Sequence, residues 1–180
     1  MPASDHVLVM GGQRSGKSRY AEQLVAKSLR APVYVATATA GDGEMMERIE
    51  RHRARRSEDW LVVEEPVDIA ERIVAVAAPS RAILVECLTL WVSNLLATER
   101  DPGPACDKLL GALESAAGPV VLVSNEVGAG VIPANALARR YADTLGTLNQ
   151  RVAAAVGRVV LMSAGIPLLI KPTRLEEVTL

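Results

Sequence analysis

GGQRSGKS, residues 11–18, carries the most legible chemistry in the chain. Gly11, Gly16, Lys17 and Ser18 fall on the pattern G-x-x-x-x-G-K-[ST]. In that pattern glycines turn backbone N–H groups toward an anion, and the helix that follows adds the positive end of its dipole. The whole loop, Gly11, Gly12, Gln13, Arg14, Ser15, Gly16, Lys17 and Ser18, is therefore expected to bind the phosphates of a nucleotide. Lys17 should reach the β and γ phosphates, Arg14 should touch the γ phosphate or pyrophosphate, and the Ser18 hydroxyl should hold Mg2+. The ion needs a second anchor, ordinarily a carboxylate at the end of a neighbouring apolar strand. Glu86, which ends AILVE, is the first candidate and Glu126, after VVLVSN, the second. Glu86 also reads as a plain strand-end carboxylate.

A second cluster lies in RIERHRARR, residues 48–56, where His52, one of two histidines in the chain, sits among five arginines. Its bland reading is a solvated helix face, laced by Glu44–Arg48 and Glu47–Arg51 pairs in the favourable i,i+4 order. The sharper reading is a local anion site. The segment alone does not decide between them. His6, beside the first strand, calls for no functional reading.

Alternating strand and helix signals position these groups. HVLVM (6–10) is a short apolar run ending at Gly-Gly, and an amphipathic helix opens at Gly16, which is the strand, turn and helix context the phosphate motif requires. PVYVATA (32–38) and LVVEE (61–65) read as strands, with a charged helix over 44–56 between them. RAILVEC (81–87) and PVVLVSN (119–125) are apolar without alternation, as expected of parallel strands covered on both faces. The first of these should be central. VDIAERIVAVA and TLWVSNLLATE read as helices, TERDPGPAC as a surface loop, and 136–156 as a long helix in which Gly146 marks a kink or break. RVVLMSAGIPLLIK reads as two strands around a tight Ala-Gly turn. The fold class is α/β, P-loop NTPase-like, with a mostly parallel sheet, flanking helices and a C-terminal β-hairpin. One domain spans 1–180, with residues 1–5 as a flexible tail.

Composition narrows the function. A formal net charge of -1 gives no broad basic surface for nucleic acid, and Tyr20, Tyr34, Trp60, Trp91 and Tyr141 are too scattered to stack bases. Cys87 and Cys106 have no metal-ligand spacing and read as reduced thiols. Neither a signal peptide nor about 18 uninterrupted apolar residues is present, so a cytoplasmic protein without a membrane span is expected. The chain has no N-K-x-D element, which sets aside the guanine recognition of switch GTPases. A small-molecule transferase remains.

These blocks, together with YVATA (34–38), DGEMMERIERHRARR (42–56), ECLTLWVSNLL (86–96), VSNEVGAGVIP (123–133) and GIPLLIK, resemble the bifunctional adenosylcobinamide kinase / adenosylcobinamide-phosphate guanylyltransferase family of cobalamin biosynthesis. The resemblance covers nearly the whole chain. It implies phosphoryl transfer from ATP or GTP to the aminopropanol hydroxyl of adenosylcobinamide. Transfer of GMP from GTP onto a histidine follows, then onto adenosylcobinamide phosphate. The family's guanylylated histidine falls on His52, through Arg48, Ile49 and His52 of R-I-x-x-H.

The resemblance further implies nucleotide contacts at Ala36, Thr37 and Ala38, at Arg53, Ala54, Arg55 and Arg56, and at Glu64, and a homotrimer. The Gly/Pro-rich loop NEVGAGVIPAN, long for a connection between core elements, is expected to border the corrinoid site, with a flexible connector as its plain alternative. Two other readings stay open: a P-loop kinase of another small alcohol or nucleoside, and a nucleotide-dependent regulatory protein that transfers no group.

Overall fold

The computed structural model describes residues 5–39, 43, 46, 47, 50 and 57–172. A seven-stranded sheet in the order β3-β2-β4-β5-β1-β6-β7 organises them. Its strands are β1 (Val7–Gly11), β2 (Ala31–Ala36), β3 (Leu61–Glu64), β4 (Arg81–Glu86), β5 (Val120–Asn125), β6 (Arg158–Ser163) and β7 (Ile166–Lys171). All neighbours pair in parallel except β6 with β7, which form the antiparallel terminal hairpin. The helices are α1 (Lys17–Lys27), α2 (Ile69–Val76), α3 (Leu88–Ala97), α4 (Pro102–Ser115) and α5 (Ala136–Ala155).

The unalternating runs are explained by burial on both faces, since successive strand residues point to opposite sides. Val7 and Val9 of β1, Leu84 of β4 and Val121 and Val123 of β5 pack with Ala21 and Val25 of α1. Leu8, Val85 and Leu122 face the other way, against Ile73 of α2, Leu88 and Trp91 of α3, Leu109 of α4 and Leu145 of α5. Each such aliphatic side chain contributes about 1.5–3 kcal/mol by leaving water. β4 is interior as expected, flanked by β2 and β5, but the middle position belongs to β5.

The loop expected over 98–106 is shorter than that. Its second half is the first turn of α4, where Asp101 Oδ1 accepts from Gly103 N at 2.9 Å and Pro102 needs no donor of its own. The helix continues through 107–115, which the sequence reading did not assign. Gly146 breaks nothing: α5 runs continuously for 20 residues from its Asn135 cap. At the hairpin, Ala164 (φ 50) and Gly165 (φ 82) both take the left-handed conformation that a two-residue turn between twisted strands requires. Gly43, Met46, Glu47 and Glu50 are helical. The rest of the charged segment 44–56, and residues 1–4 of the expected tail, lie outside the described residues.

His6 is a structural residue. It is buried, its Nε2 donates to Leu113 O at 2.7 Å, and its Nδ1 accepts from Val120 N at 3.1 Å, joining the end of α4 to the start of β5. His6→Ala strands both backbone groups in the interior. We expect a loss of roughly 2–4 kcal/mol of unfolding free energy in urea titrations, with nucleotide affinity of the folded protein retained.

Candidate nucleotide site

The carboxyl ends of β1, β2, β4 and β5 form one edge of the sheet, and the residues with chemical potential collect there. The phosphate loop leaves β1 at Gly11, whose φ of 150° and whose neighbours both demand glycine. A Cβ there would run into the Met162 carbonyl oxygen and lie 2.8 Å from Ser15 Oγ. Gly16 (φ 95) caps α1 in the left-handed conformation, which lets Lys17 and Ser18 open the helix directly. The turn of the terminal hairpin braces the loop from outside, with Gly165 N donating to Ser15 O at 3.0 Å.

Within the loop Lys17 is buried, and its Nζ donates to Gly12 O at 2.6 Å, so the ammonium arches back across the cradle. Ser18 Oγ donates to Glu86 Oε1 at 2.5 Å. This contact brings the end of β4 to the first turn of α1. A hydroxyl and a carboxylate are hard oxygen donors, the kind Mg2+ takes in small number while its other positions go to water and phosphate. The Ser18 hydroxyl and Glu86 carboxylate fit that chemistry as a pair of adjacent hard oxygen donors. Glu126 points elsewhere: it is exposed, and its Oε1 accepts from Gly128 N at 3.2 Å.

Ala36, at the end of β2, is level with Glu64 on one side and Glu86 on the other. Ala38 lies just beyond and is partly buried. Glu64 is exposed, whereas its neighbour Glu65 is committed to α2, accepting from Val67 N and Asp68 N at 3.1 and 2.9 Å and from Arg72. Burial alone would raise the Glu65 carboxyl, but those donors outweigh it and hold it below the ordinary range. Glu64 is thus the carboxylate of the pair that faces outward.

Thr37 differs from its neighbours in being fully buried. Its hydroxyl meets Glu86 O and Cys87 O at 2.9 Å and Cys87 N at 2.7 Å. Asn94 of α3 donates to Thr37 O at 2.8 Å and to Pro66 O at 3.0 Å. Nothing in the sequence pattern of Asn94 marks it, because an Asn within a helix usually reads as surface.

Two nearby groups are chemically quiet. Burial, and then the Glu86 charge, push the Cys87 thiol up, so the nucleophilic thiolate is disfavoured. Burial, with the Cys87 charge as a lesser cause, pushes Tyr141 up to about 12, and its hydroxyl donates to Thr89 O at 2.9 Å. His52, Arg53, Ala54, Arg55 and Arg56 lie outside the described residues.

A parallel sheet with a glycine-rich phosphate loop, a buried lysine and a serine–carboxylate pair at its carboxyl edge defines a P-loop NTPase-like nucleotide-binding fold. Solved structures agree on the fold. An ATPase from a bacterial type III secretion system aligns over 87% of this chain and 50% of its own, with a TM-score of 0.56 at 9% identity. The flagellar accessory protein FlaH from Methanocaldococcus jannaschii aligns over 94% and 79%, with a TM-score of 0.55 at 9% identity.

The family model for cobinamide kinase / cobinamide phosphate guanyltransferase matches residues 7–170, and the chain belongs to that family. The bifunctional adenosylcobalamin biosynthesis protein CobP of Pseudomonas aeruginosa is 47% identical over 91% of this chain and 96% of its own. The corresponding CobU of Escherichia coli is 40% identical over 92% and 99%. Family membership makes the chain an enzyme that joins a kinase to a nucleotidyltransferase.

Because Gly11 is packed against backbone, Gly11→Ala has no flexible neighbour to displace. We expect it to lower the thermal midpoint by several degrees and to weaken nucleotide binding at least tenfold by calorimetry.

Proposed function

We propose that this chain, working as one domain over residues 1–180, phosphorylates the aminopropanol hydroxyl of adenosylcobinamide with ATP or GTP. It then transfers GMP from GTP through guanylyl-His52 to adenosylcobinamide phosphate, giving adenosylcobinamide-GDP and pyrophosphate. The observation that carries the reading is the phosphate loop closed by the Ser18–Glu86 contact, in a chain of this family.

In the kinase step, loop N–H groups and Lys17 bind the β and γ phosphates and orient the γ phosphorus toward the incoming hydroxyl. Positioning and charge neutralisation supply most of the rate in phosphoryl transfer. Ser18 and Glu86 would hold Mg2+, which supplies charge neutralisation on the phosphate oxygens. Arg14 is placed on the same loop to meet the γ phosphate or pyrophosphate.

In the guanylyl step the neutral His52 imidazole donates its lone pair to the α phosphorus, the bond to the bridging oxygen breaks, and pyrophosphate leaves. A phosphate oxygen of the corrinoid substrate then attacks the same phosphorus. The N–P bond breaks and the imidazole is regenerated. Arg53, Arg55 and Arg56 beside it disfavour imidazolium and neutralise the departing pyrophosphate.

The base lies toward Ala36, Ala38 and Glu64, whereas Thr37, fully buried, offers it no surface. The Glu64 carboxylate accepts from guanine N1–H and the 2-amino group, which selects GTP for this step.

The corrinoid lies along the loop 126–135, which leaves β5 beside the phosphate loop and exposes Val131 and Ile132 at 96% and 79%. A groove of about 550 Å3 continues from it between α3 and α5, lined by Leu96, Leu137 and Tyr141 among others. The resemblance adds a homotrimer, and a cytoplasmic location is the expectation from the sequence itself; among the described residues no helix is long and apolar enough to cross a membrane.

Incubation with GTP labelled at the α phosphate tests the covalent step. Label should remain on the protein in an acid-labile, base-stable bond, and His52→Ala should abolish it while sparing cobinamide phosphorylation. Retained label in His52→Ala, or equal loss of both activities in a folded variant, overturns the assignment. Lys17→Ala should lower both activities about 100-fold. Glu64→Ala should let ATP compete in the guanylyl step, and continued exclusion of ATP counts against guanine reading by Glu64.

A further inference from the structure

The resemblance marks Thr37 as a nucleotide contact, yet its polar atoms are all engaged inside the protein. Thr37 N donates to Glu86 O at 2.9 Å, its hydroxyl bonds the Glu86–Cys87 backbone, and its carbonyl accepts from Asn94. With no exposed surface at Thr37, its side chain has no face to offer a ligand. What it does touch is the backbone of the residue whose carboxylate meets Ser18.

We propose that Thr37 and Asn94 are positioning residues that hold the Glu86 carboxylate over the Ser18 hydroxyl and thereby set the affinity of this site for Mg2+. The proposal rests on the reading of Ser18 and Glu86 given above. β4 ends at Glu86, and beyond it the chain turns into α3 at Leu88, so no sheet partner on β5 fixes Cys87. The Thr37 hydroxyl supplies that constraint from the neighbouring strand. It accepts from Cys87 N, and its single proton is shared between the Glu86 and Cys87 carbonyls.

Asn94 fixes Thr37 in turn. Its amide donates to both Thr37 O and Pro66 O, tying the end of β2 to the segment after β3. Groups that orient a metal-binding carboxylate govern affinity nearly as strongly as the ligand itself, and their loss typically costs about 10–100-fold. Valine has nearly the same shape and keeps the backbone bonds of residue 37, but without the hydroxyl it cannot bond Glu86 O, Cys87 O or Cys87 N.

The test reads binding rather than turnover. A fluorescent, non-hydrolysable GTP analogue is titrated onto each variant at rising Mg2+, giving the Mg2+ concentration at half effect and the affinity without Mg2+. Thr37→Val should raise the Mg2+ midpoint about tenfold while leaving the Mg2+-free affinity unchanged, and Thr37→Ser should restore it. Asn94→Ala, which keeps the hydroxyl in place, should move the midpoint in the same direction by a smaller factor.

Glu86→Gln is the reference. If it shifts the midpoint and neither folded Thr37→Val nor Asn94→Ala does, the positioning role is overturned. A Thr37→Val chain that does not fold leaves Asn94→Ala to decide on its own, by the same criterion. Equal loss of Mg2+-free and Mg2+-dependent affinity would show a merely structural role and also overturn it. If Glu86→Gln leaves the midpoint unchanged, the metal assignment beneath the proposal fails instead.

Discussion

The Ser18–Glu86 contact joins residues 68 positions apart and depends on the relative register of two strands, β1 and β4, that are not neighbours. β5 lies between β1 and β4 and sets their levels. Glu86 is opposite Val123, Val123 is opposite Val9, and β1 runs on to Gly11 before the phosphate loop begins. A one-residue slip in either pairing would reverse the faces of a whole strand and carry Glu86 away from the helix that starts at Lys17. Register is held firmly because both faces of these strands are buried, so a slip exchanges two well-packed layers at once. The chemistry at the edge is therefore a product of core packing.

The same edge separates reactive from inert groups by burial. Cys87 and Tyr141 stand close to the site, but both are kept protonated by removal from water, and the Tyr141 hydroxyl is committed to the backbone. Ser124, also buried at the end of β5, donates to Asn149 Oδ1 at 2.7 Å, and Asn149 reaches back to Asn125 O at 3.2 Å. Asn125 N in turn donates to Thr89 Oγ1 at 2.8 Å. Polar atoms near the strand ends are thus largely satisfied by one another. This fixes the geometry of the strand ends and, among the described residues, leaves the phosphate loop and the outward-facing carboxylates as the groups turned toward a ligand.

Much of this was legible from residue order. The phosphate loop, the strand runs and the Ala-Gly hairpin each carry a local rule: glycine spacing, apolar runs without alternation, and a turn that needs positive φ. Glu86 was legible because a carboxylate closing an apolar strand has few other reasons to be there. The first turn of α4 was hidden because Pro-Gly-Pro scores as a breaker, although Asp-Pro is also a helix start and the apolar spacing of Leu109, Ala112 and Leu113 continues from it. Gly146 misled in the opposite sense, since packing of Leu145, Leu148 and Asn149 overrides a propensity penalty of about 1 kcal/mol. The parts played by Thr37, Asn94 and His6 depend on partners 50, 57 and 107 residues away, which no local rule encodes.

The brace between the terminal hairpin and the phosphate loop has a thermodynamic consequence. With Gly165 bonded to Ser15 and the Met162 carbonyl filling the space behind Gly11, the loop takes its shape when the chain folds, before any anion arrives. The entropy of ordering those residues is charged to folding rather than to association, so less of the attraction between amide dipoles and phosphate is spent on rigidification. The last strands of the chain thus act as a buttress, and the rigidity of an N-terminal element is inherited from residues synthesised about 150 positions later.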